Sequence, residues 1–139
     1  MDLPKDFVAR TRFLLGEKEF EKFEQGMNAP SPTSIRINPF KWENKLEKEK
    51  VEWCENGYYL QERKPFTFDP LFHAGAYYVQ EAASMFLDRV IKEYIDNPVT
   101  ALDLCAAPGG KSTLIRSVLP TGSLLFANEY VKNRSQILA

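Results

Sequence analysis

The feature that most restricts the fold is a pair of short apolar runs in residues 99–129, separated by a glycine-rich turn and a helix. The first run, Val99–Leu104, has the length and apolar character of a buried parallel strand. A glycine-rich turn, a helix over Ser112–Leu119, a second turn over Pro120–Gly122, a strand over Ser123–Asn128 and the acid Glu129 follow. Strand, turn, helix, strand and acid in this order predict the first unit of a Rossmann-like α/β sheet.

The turn after the first strand has the composition of a cofactor-binding loop. Four of its residues have no side chain or only a methyl group: Ala106, Ala107, Gly109 and Gly110. Such residues let a ligand approach the backbone, and N–H groups at the start of the next helix can bind it. Glu129 lies about 20 residues past the loop, where an acid can accept ribose hydroxyls. This combination favours a nucleotide-type cofactor over a purely structural strand–helix–strand unit.

The loop differs from two common nucleotide-binding motifs. It lacks the G-x-G-x-x-G fingerprint of dinucleotide-binding domains. Its end, Gly110–Thr113, matches the end of a phosphate-binding P-loop, but Cys105 stands where that motif has its first glycine. Pro108 also removes one backbone N–H from a loop that would work by donating several. A P-loop nucleotide-binding protein therefore stays open as an alternative.

The chain as a whole predicts a small N-terminal α/β accessory module over residues 1–70 and a partial second domain over residues 71–139. The predicted elements of the module are helices over 4–16, 17–25 and 42–52 and strands over 34–38 and 57–60. An irregular linker is predicted over residues 63–75, where prolines and a glycine recur. Helical spacing of apolar residues begins at Ala76 and ends at Asn97, before a proline.

Composition gives no global electrostatic argument for a nucleic-acid partner. The 139 residues carry a formal net charge of −1, whereas a stand-alone nucleic-acid binder is usually basic. An RNA footprint must then be local, and Arg36 and Lys41 near the first predicted strand are candidate phosphate contacts. Tyr77 and Tyr78 are candidates either for stacking on a base or for filling the core.

The two cysteines and the single histidine do not form a metal or disulfide pattern. Cys54 is predicted to be a small buried hydrophobe, and His73 a packing or surface residue. The chain shows no secretory signal and no apolar run of about 18 residues. We therefore expect a cytoplasmic protein with no membrane segment and no metal.

Beyond these patterns, residues 102–113, LDLCAAPGGKST, closely resemble the S-adenosylmethionine (SAM) binding motif of the Nol/Nop/Sun family of RNA cytosine-5 methyltransferases. Three further stretches resemble motifs of that family in the same order: SIRINP at 34–39, GAYYVQEAASM at 75–85 and ANEYVKNRSQIL at 127–138. The resemblance covers the chain from about residue 30 onward. It implies a SAM-dependent methyltransferase domain whose partner is RNA, with ribosomal RNA as the expected substrate.

The resemblance also implies which residues hold the cofactor. The residues expected to line the methionine side of SAM are Cys105, Ala106, Ala107, Pro108, Gly109, Gly110 and Lys111. Glu129 is expected to hold the ribose, and Arg134 to support that site. Residues expected near the pocket, with a less defined role, are Gln80, Glu81 and Ser84.

Catalytic residues of the family have no counterpart in this chain. Members use one cysteine thiolate to attack C6 of cytosine, so that C5 accepts the methyl group, and a second cysteine to assist release. Neither Cys54 nor Cys105 matches those motifs, which are expected downstream of Ala139. We therefore expect an N-terminal fragment of a longer enzyme, inactive by itself. A non-catalytic RNA-binding or assembly module with a vestigial loop is the alternative from a different class.

Overall fold

The computed structural model describes residues 3–42 and 46–138, and these fall into two units, one ending at Ser31 and one beginning at Pro32. The predicted domain boundary at residue 70 lies inside the second unit, because strands on both sides of it pair in one sheet. The division into domains 1–70 and 71–139 stays a prediction.

The first unit is a pair of helices joined at Gly16. α1 spans Lys5–Leu15 and α2 spans Glu17–Asn28, in agreement with the two short helices predicted here. Gly16 has a φ of +75°, a conformation that favours glycine, and this turn lets the second helix begin at once. The rings of Phe7 and Phe23 pack with 6.1 Å between their centroids, which joins the two helices.

The second unit begins with a three-stranded antiparallel sheet. Its strands are β1, Thr33–Ile37, β2, Gly57–Leu60, and β3, Tyr77–Val79, in the order β2-β1-β3. Ile35 pairs with Tyr58 on one side and with Val79 on the other. β1 is thus the central strand, and residues 34–37 are all buried, whereas their polar–apolar alternation predicts a half-buried strand.

The segment between β1 and β2 is not the amphipathic helix predicted for residues 42–52. Residues 43–45 lie outside the described part of the chain, and the remainder forms bends and turns. The N–H of Val51 donates to the carbonyl of Gly57 at 3.0 Å, at the start of β2. Hydrogen bonds to a neighbouring strand therefore replace helical ones, and the many Lys and Glu residues reflect exposure to solvent.

Short helical turns occupy the segment predicted to be an irregular linker. A 3-10 helix spans Phe66–Phe68, and α3 spans Pro70–His73. The carboxylate of Asp69 caps α3 by accepting the N–H of Leu71 at 2.9 Å. The prolines in this segment therefore mark closely spaced, hydrogen-bonded turns rather than a free linker.

Helical structure begins later than the predicted position at Ala76. The first residues, Tyr77–Val79, form β3 instead, because their backbone pairs with β1. A 3-10 helix over Ala83–Phe86 and α4 over Leu87–Tyr94 follow. The prediction of a helix from Ala76 is thus wrong for its first part and correct for its second.

A parallel strand–helix–strand unit completes the described chain. β4 spans Thr100–Asp103, α5 spans Gly110–Val118, β5 spans Leu124–Ala127 and α6 spans Lys132–Leu138. β4 and β5 pair in parallel, with Leu102 opposite Phe126. The predicted α/β fold class and its Rossmann-like unit are confirmed.

Two clusters of buried side chains hold the second unit together. The first brings α4 and α5 against the turn before β2, and consists of Val51, Cys54, Ala82, Met85, Ile91, Leu114 and Leu119. The second lies on one face of β1, and consists of Ile35, Ile37, Tyr58 and Tyr77. Within residues 3–42 and 46–138, no helix is both long and apolar enough to cross a bilayer.

Candidate cofactor site

The loop between β4 and α5 is closed by hydrogen bonds between its two ends. Asp103, the last residue of β4, accepts the hydroxyl of Ser112 at 2.7 Å and the N–H of Cys105 at 3.2 Å. The Ser112 hydroxyl also lies 3.2 Å from the carbonyl oxygen of Ala106. Asp103 and Ser112 both belong to the motif at residues 102–113, but the sequence does not predict their contact with each other, although an acid and a hydroxyl flanking a glycine-rich loop are visible in it.

Gly109 turns the chain from the loop into α5. Its φ of +106° is a left-handed conformation that favours glycine, and its N–H donates to the carbonyl of Ala106 at 2.8 Å. Among the described residues no side chain caps α5, so its first-turn N–H groups keep their capacity to bind a ligand. The loop buries Ala106, Ala107 and Gly109, half-buries Gly110, and exposes Cys105, Pro108 and Lys111.

The carboxylate of Glu129 lies against this loop. It accepts the N–H of Ala107 at 3.3 Å and the N–H of Val131 at 2.9 Å. The guanidinium of Arg134 lies 3.7 Å from the same carboxylate and donates to the carbonyl of Ala107. The Glu129 side chain is only 4% exposed. The structure thus brings three of the predicted site residues together, namely Ala107, Glu129 and Arg134.

The three residues predicted to lie near the pocket differ in placement. Gln80 is buried, and its side-chain nitrogen is 3.7 Å from the position that a Cβ atom on Gly110 would occupy. Glu81 is exposed and Ser84 half-buried, and they form a turn in which the N–H of Ser84 donates to the carbonyl of Glu81 at 3.1 Å. Of the three, Gln80 is thus the one that the structure places beside Gly110.

Arg36, a predicted phosphate contact, is buried instead. Its Nε donates to the side-chain oxygen of Gln80 at 2.9 Å. Its Nη2 donates to the hydroxyl of Thr113 at 2.6 Å and to the carbonyl of Gly110 at 3.3 Å. The prediction is wrong because α5 covers the polar face of β1, and alternation along one strand cannot reveal that cover. Lys41 is exposed, and its ammonium donates to the carbonyl of Ala74 at 2.7 Å.

The two adjacent tyrosines of β3 have different surroundings. Tyr77 is buried in the core, and its hydroxyl donates to Asp69 at 2.7 Å; burial and this acid raise the pKa of Tyr77 to about 12. Tyr78 is half-buried, and its hydroxyl donates to the carbonyl of Pro108 at 3.1 Å. A Cβ atom on Gly110 would lie 3.1 Å from Cε1 of Tyr78, a tight contact that glycine avoids.

The two cysteines also differ. Cys54 is buried as predicted, and its thiol donates to Asp88 at 3.5 Å. Burial, together with the charge of Asp88, raises the pKa of the Cys54 thiol to about 11, so it stays protonated and unreactive near neutral pH. Cys105 is exposed in the loop. His73, also exposed, has a ring nitrogen 2.7 Å from the carbonyl oxygen of Thr67, in line with its predicted surface role.

A cavity of about 620 Å³ lies between β3, α5 and β5, and Tyr78, Thr113, Arg116 and Leu125 are among the residues that line it. Glu129 does not line it, nor do residues 105–111. The predicted cofactor residues therefore belong to the loop and the end of β5 rather than to this cavity.

Comparison with known proteins identifies the family of this chain. Residues 3–82 match the family model described as the N-terminal domain of 16S rRNA methyltransferase RsmF, which is more than half of the chain. The chain belongs to this RsmF family. The match confirms the resemblance to Nol/Nop/Sun RNA methyltransferases that the motifs indicate.

Two RsmF-family relatives, each called ribosomal RNA small subunit methyltransferase F, show how much of such a protein the chain represents. The one from Pectobacterium atrosepticum is 30% identical over 98% of this chain, which covers 31% of that protein. The one from Aliivibrio salmonicida is 29% identical over 98% of this chain, which covers 32% of that protein. The chain thus spans about a third of the length of the relatives it matches.

Solved structures support the same fold. A crystal structure of a protein named PH0851 has a TM-score of 0.79 and 27% identity, and the match covers 97% of this chain and 32% of PH0851. A methyltransferase homolog protein from Pyrococcus horikoshii has a TM-score of 0.67 and 22% identity, over 96% of this chain and 51% of that protein. The second likeness concerns the fold alone.

Proposed function

We propose that this chain carries the SAM-binding loop of an enzyme that methylates C5 of cytosine in ribosomal RNA. The observation that carries the proposal is the position of the Glu129 carboxylate at the end of β5, in hydrogen-bond contact with the loop at Ala107. Membership of the RsmF family supports ribosomal RNA as the substrate and methyl transfer as the reaction.

The residues at the loop fit SAM chemically. A carboxylate oxygen has two lone pairs, so Oε1 of Glu129, which accepts the N–H of Val131, has one left for a ribose hydroxyl once the side chain, 4% exposed here, turns toward the ligand. The guanidinium of Arg134 lies 3.7 Å from the same carboxylate and places a positive charge beside the proposed ribose contact. The uncapped N–H groups of α5 suit the carboxylate of the methionine part.

SAM supplies an electrophilic methyl group when it is bound. The role that we assign to this chain is to hold and orient the cofactor, through residues 105–111, Glu129 and Arg134. Methylation of C5 also needs a nucleophile that adds to C6 of the ring. We assign that nucleophile to the part of the relatives' length that this chain does not span, because Cys54 is a buried, protonated thiol and Cys105 belongs to the cofactor loop.

One contact and one residue type argue against the P-loop alternative. In a P-loop the Ser or Thr after the lysine binds Mg²⁺. Here the hydroxyl of Ser112 is engaged with Asp103 at 2.7 Å, and the loop contains Pro108, which has no N–H to donate to a phosphate. The geometry thus favours a SAM loop over a phosphate-binding loop.

Calorimetric titration of the full-length protein with SAM, and separately with ATP and Mg²⁺, tests the proposal. We expect binding of SAM and none of ATP. Binding of ATP with Mg²⁺ but not of SAM would replace the methyltransferase with the P-loop alternative. Binding of neither would favour the non-catalytic module with a vestigial loop.

A further inference from the structure

Arg36 is a buried charge that makes no direct ion pair, although the charge of the buried Asp88 acts on it and partly offsets the lowering of its pKa by burial. The residue is 3% exposed, and none of the ion pairs within the described part of the chain includes it. Burial of a guanidinium is unfavourable unless hydrogen bonds satisfy its donors. Its acceptors here are neutral oxygens, from Gln80, Thr113 and Gly110. A buried cation kept with such partners needs an explanation beyond the packing of β1.

The location of these acceptors explains why the Arg36 cation is buried there. Thr113 and Gly110 belong to the first turn of α5, directly after the proposed cofactor loop. A cation near the N-terminus of a helix is opposed by the helix dipole, so the contact does not serve to stabilise α5 by charge. The contact does connect β1 to the start of the helix, at 2.6 Å from Nη2 to the Thr113 hydroxyl.

Neighbouring side chains set the direction of Arg36. Gln80 accepts from Nε at 2.9 Å, and its own backbone carbonyl accepts the hydroxyl of Ser34 at 2.6 Å. Both contacts are buried, so the guanidinium is oriented from β1 and from the end of β3 at once. The hydroxyl of Tyr78, on β3, donates to Pro108 and gives the sheet a second contact with the loop.

We propose that Arg36, oriented by Gln80, is a positioning residue that fixes the first turn of α5, and with it loop 105–111, against the antiparallel sheet. Its importance for SAM rests on the proposed function, whereas its effect on α5 does not. The planar guanidinium group, called the fork below, is essential, because its Nε and Nη2 donate to acceptors on two different elements at the same time. A lysine has one ammonium group and cannot reproduce that bridge.

Hydrogen exchange of the full-length protein measures the effect on α5 without any ligand. We compare Arg36→Met and Arg36→Lys with Ile35→Val, a control on the same strand whose side chain lies in the other core cluster. Thr113→Val removes one acceptor while preserving shape. We expect the amides of residues 113–116 to exchange at least about tenfold faster in both Arg36 variants, relative to those of α4 in the same protein.

The control should show no selective acceleration at residues 113–116, and Thr113→Val should show a smaller one than Arg36→Met. Equal acceleration in α4 and α5 in the Arg36 variants would overturn the inference, because it would indicate a loss of global stability only. Protection of α5 in Arg36→Lys that equals the parent protein would also overturn it, since the fork would then be dispensable.

Calorimetry with SAM on the same variants separates this inference from the proposed function. We expect Arg36→Met to weaken SAM binding about tenfold, and Ile35→Val to leave it unchanged. If the parent protein does not bind SAM, the proposed function fails, while the exchange data still decide the role of Arg36 at α5. If the parent binds SAM and both Arg36 variants bind it equally well, the positioning role for the cofactor is overturned.

Discussion

The two sheets of the second unit bury their strands to different extents. β1, in the antiparallel sheet, is covered on both faces, and Ile35 is 6% exposed. In the parallel sheet, one side of β4 and β5 carries exposed apolar side chains, with Leu102 60% and Phe126 54% exposed. Sheets built from parallel strands are generally covered on both faces, so the described contacts of β4 and β5 contribute less burial than those of β1.

This difference shows where the loop obtains its support. Within the parallel unit, the loop is closed by the contact of Asp103 with Ser112. From the antiparallel sheet it receives the bridge of Arg36 to α5 and the hydrogen bond of Tyr78 to Pro108. The antiparallel sheet therefore contributes one contact to the loop and one to the start of the helix that follows it.

Truncation of one side chain in each sheet should show the difference in burial as a difference in the free energy of unfolding. This is the largest effect that we expect. In this 139-residue chain, Ile35→Ala should lower the free energy of unfolding by about 2–5 kcal/mol, because it leaves a cavity in the core. Leu124→Ala, at a position 53% exposed in β5, should cost less than about 1 kcal/mol. Urea denaturation measures both, and equal losses would remove the distinction between the sheets.

Two glycine replacements sharpen the comparison at the loop. Gly110→Ala places a Cβ atom 3.1 Å from Cε1 of Tyr78, so the ring must shift by a few tenths of an ångström. Its hydrogen bond to Pro108 opposes that shift, and we expect a loss of about 1 kcal/mol in stability. Gly26→Ala is the control, because no atom lies within 4 Å of the new Cβ and the site is helical. We expect that control to raise stability by about 0.5–1 kcal/mol. Thermal unfolding that shows no loss for Gly110→Ala would contradict the close contact between the sheet and the loop.

The parallel unit could be predicted from the sequence because its signals are local. The strands are apolar runs of strand length, and the glycine-rich turn and Pro120–Gly122 separate them from the helix. The observed bounds of β4, α5 and β5 differ by no more than two residues from those predicted. The nearness of Glu129 to the loop also follows from this order, since the carboxyl ends of parallel neighbours lie at one edge of a sheet.

The antiparallel sheet could be predicted only in part because its third strand depends on distant pairing. Tyr77–Val79 has a spacing that also suits a helix, and it becomes a strand by pairing with β1, about 40 residues earlier. The role of Arg36 depends on Thr113, which is 77 residues away. A polar residue in an alternating strand indicates that one face of the strand is polar. Whether solvent or a helix covers that face depends on the tertiary fold.

The SAM affinity of Glu129→Ala decides whether the cofactor binds at this loop. The control is Glu93→Ala, which replaces an exposed acid on α4. Glu129→Gln keeps an acceptor for the N–H of Ala107 and separates a loss of charge from a loss of loop structure. We predict that Glu129→Ala weakens binding by about 1–3 kcal/mol in calorimetric titration, with Glu93→Ala unchanged. Unchanged affinity in Glu129→Ala, in a protein that binds SAM, would contradict the placement of the cofactor at this loop.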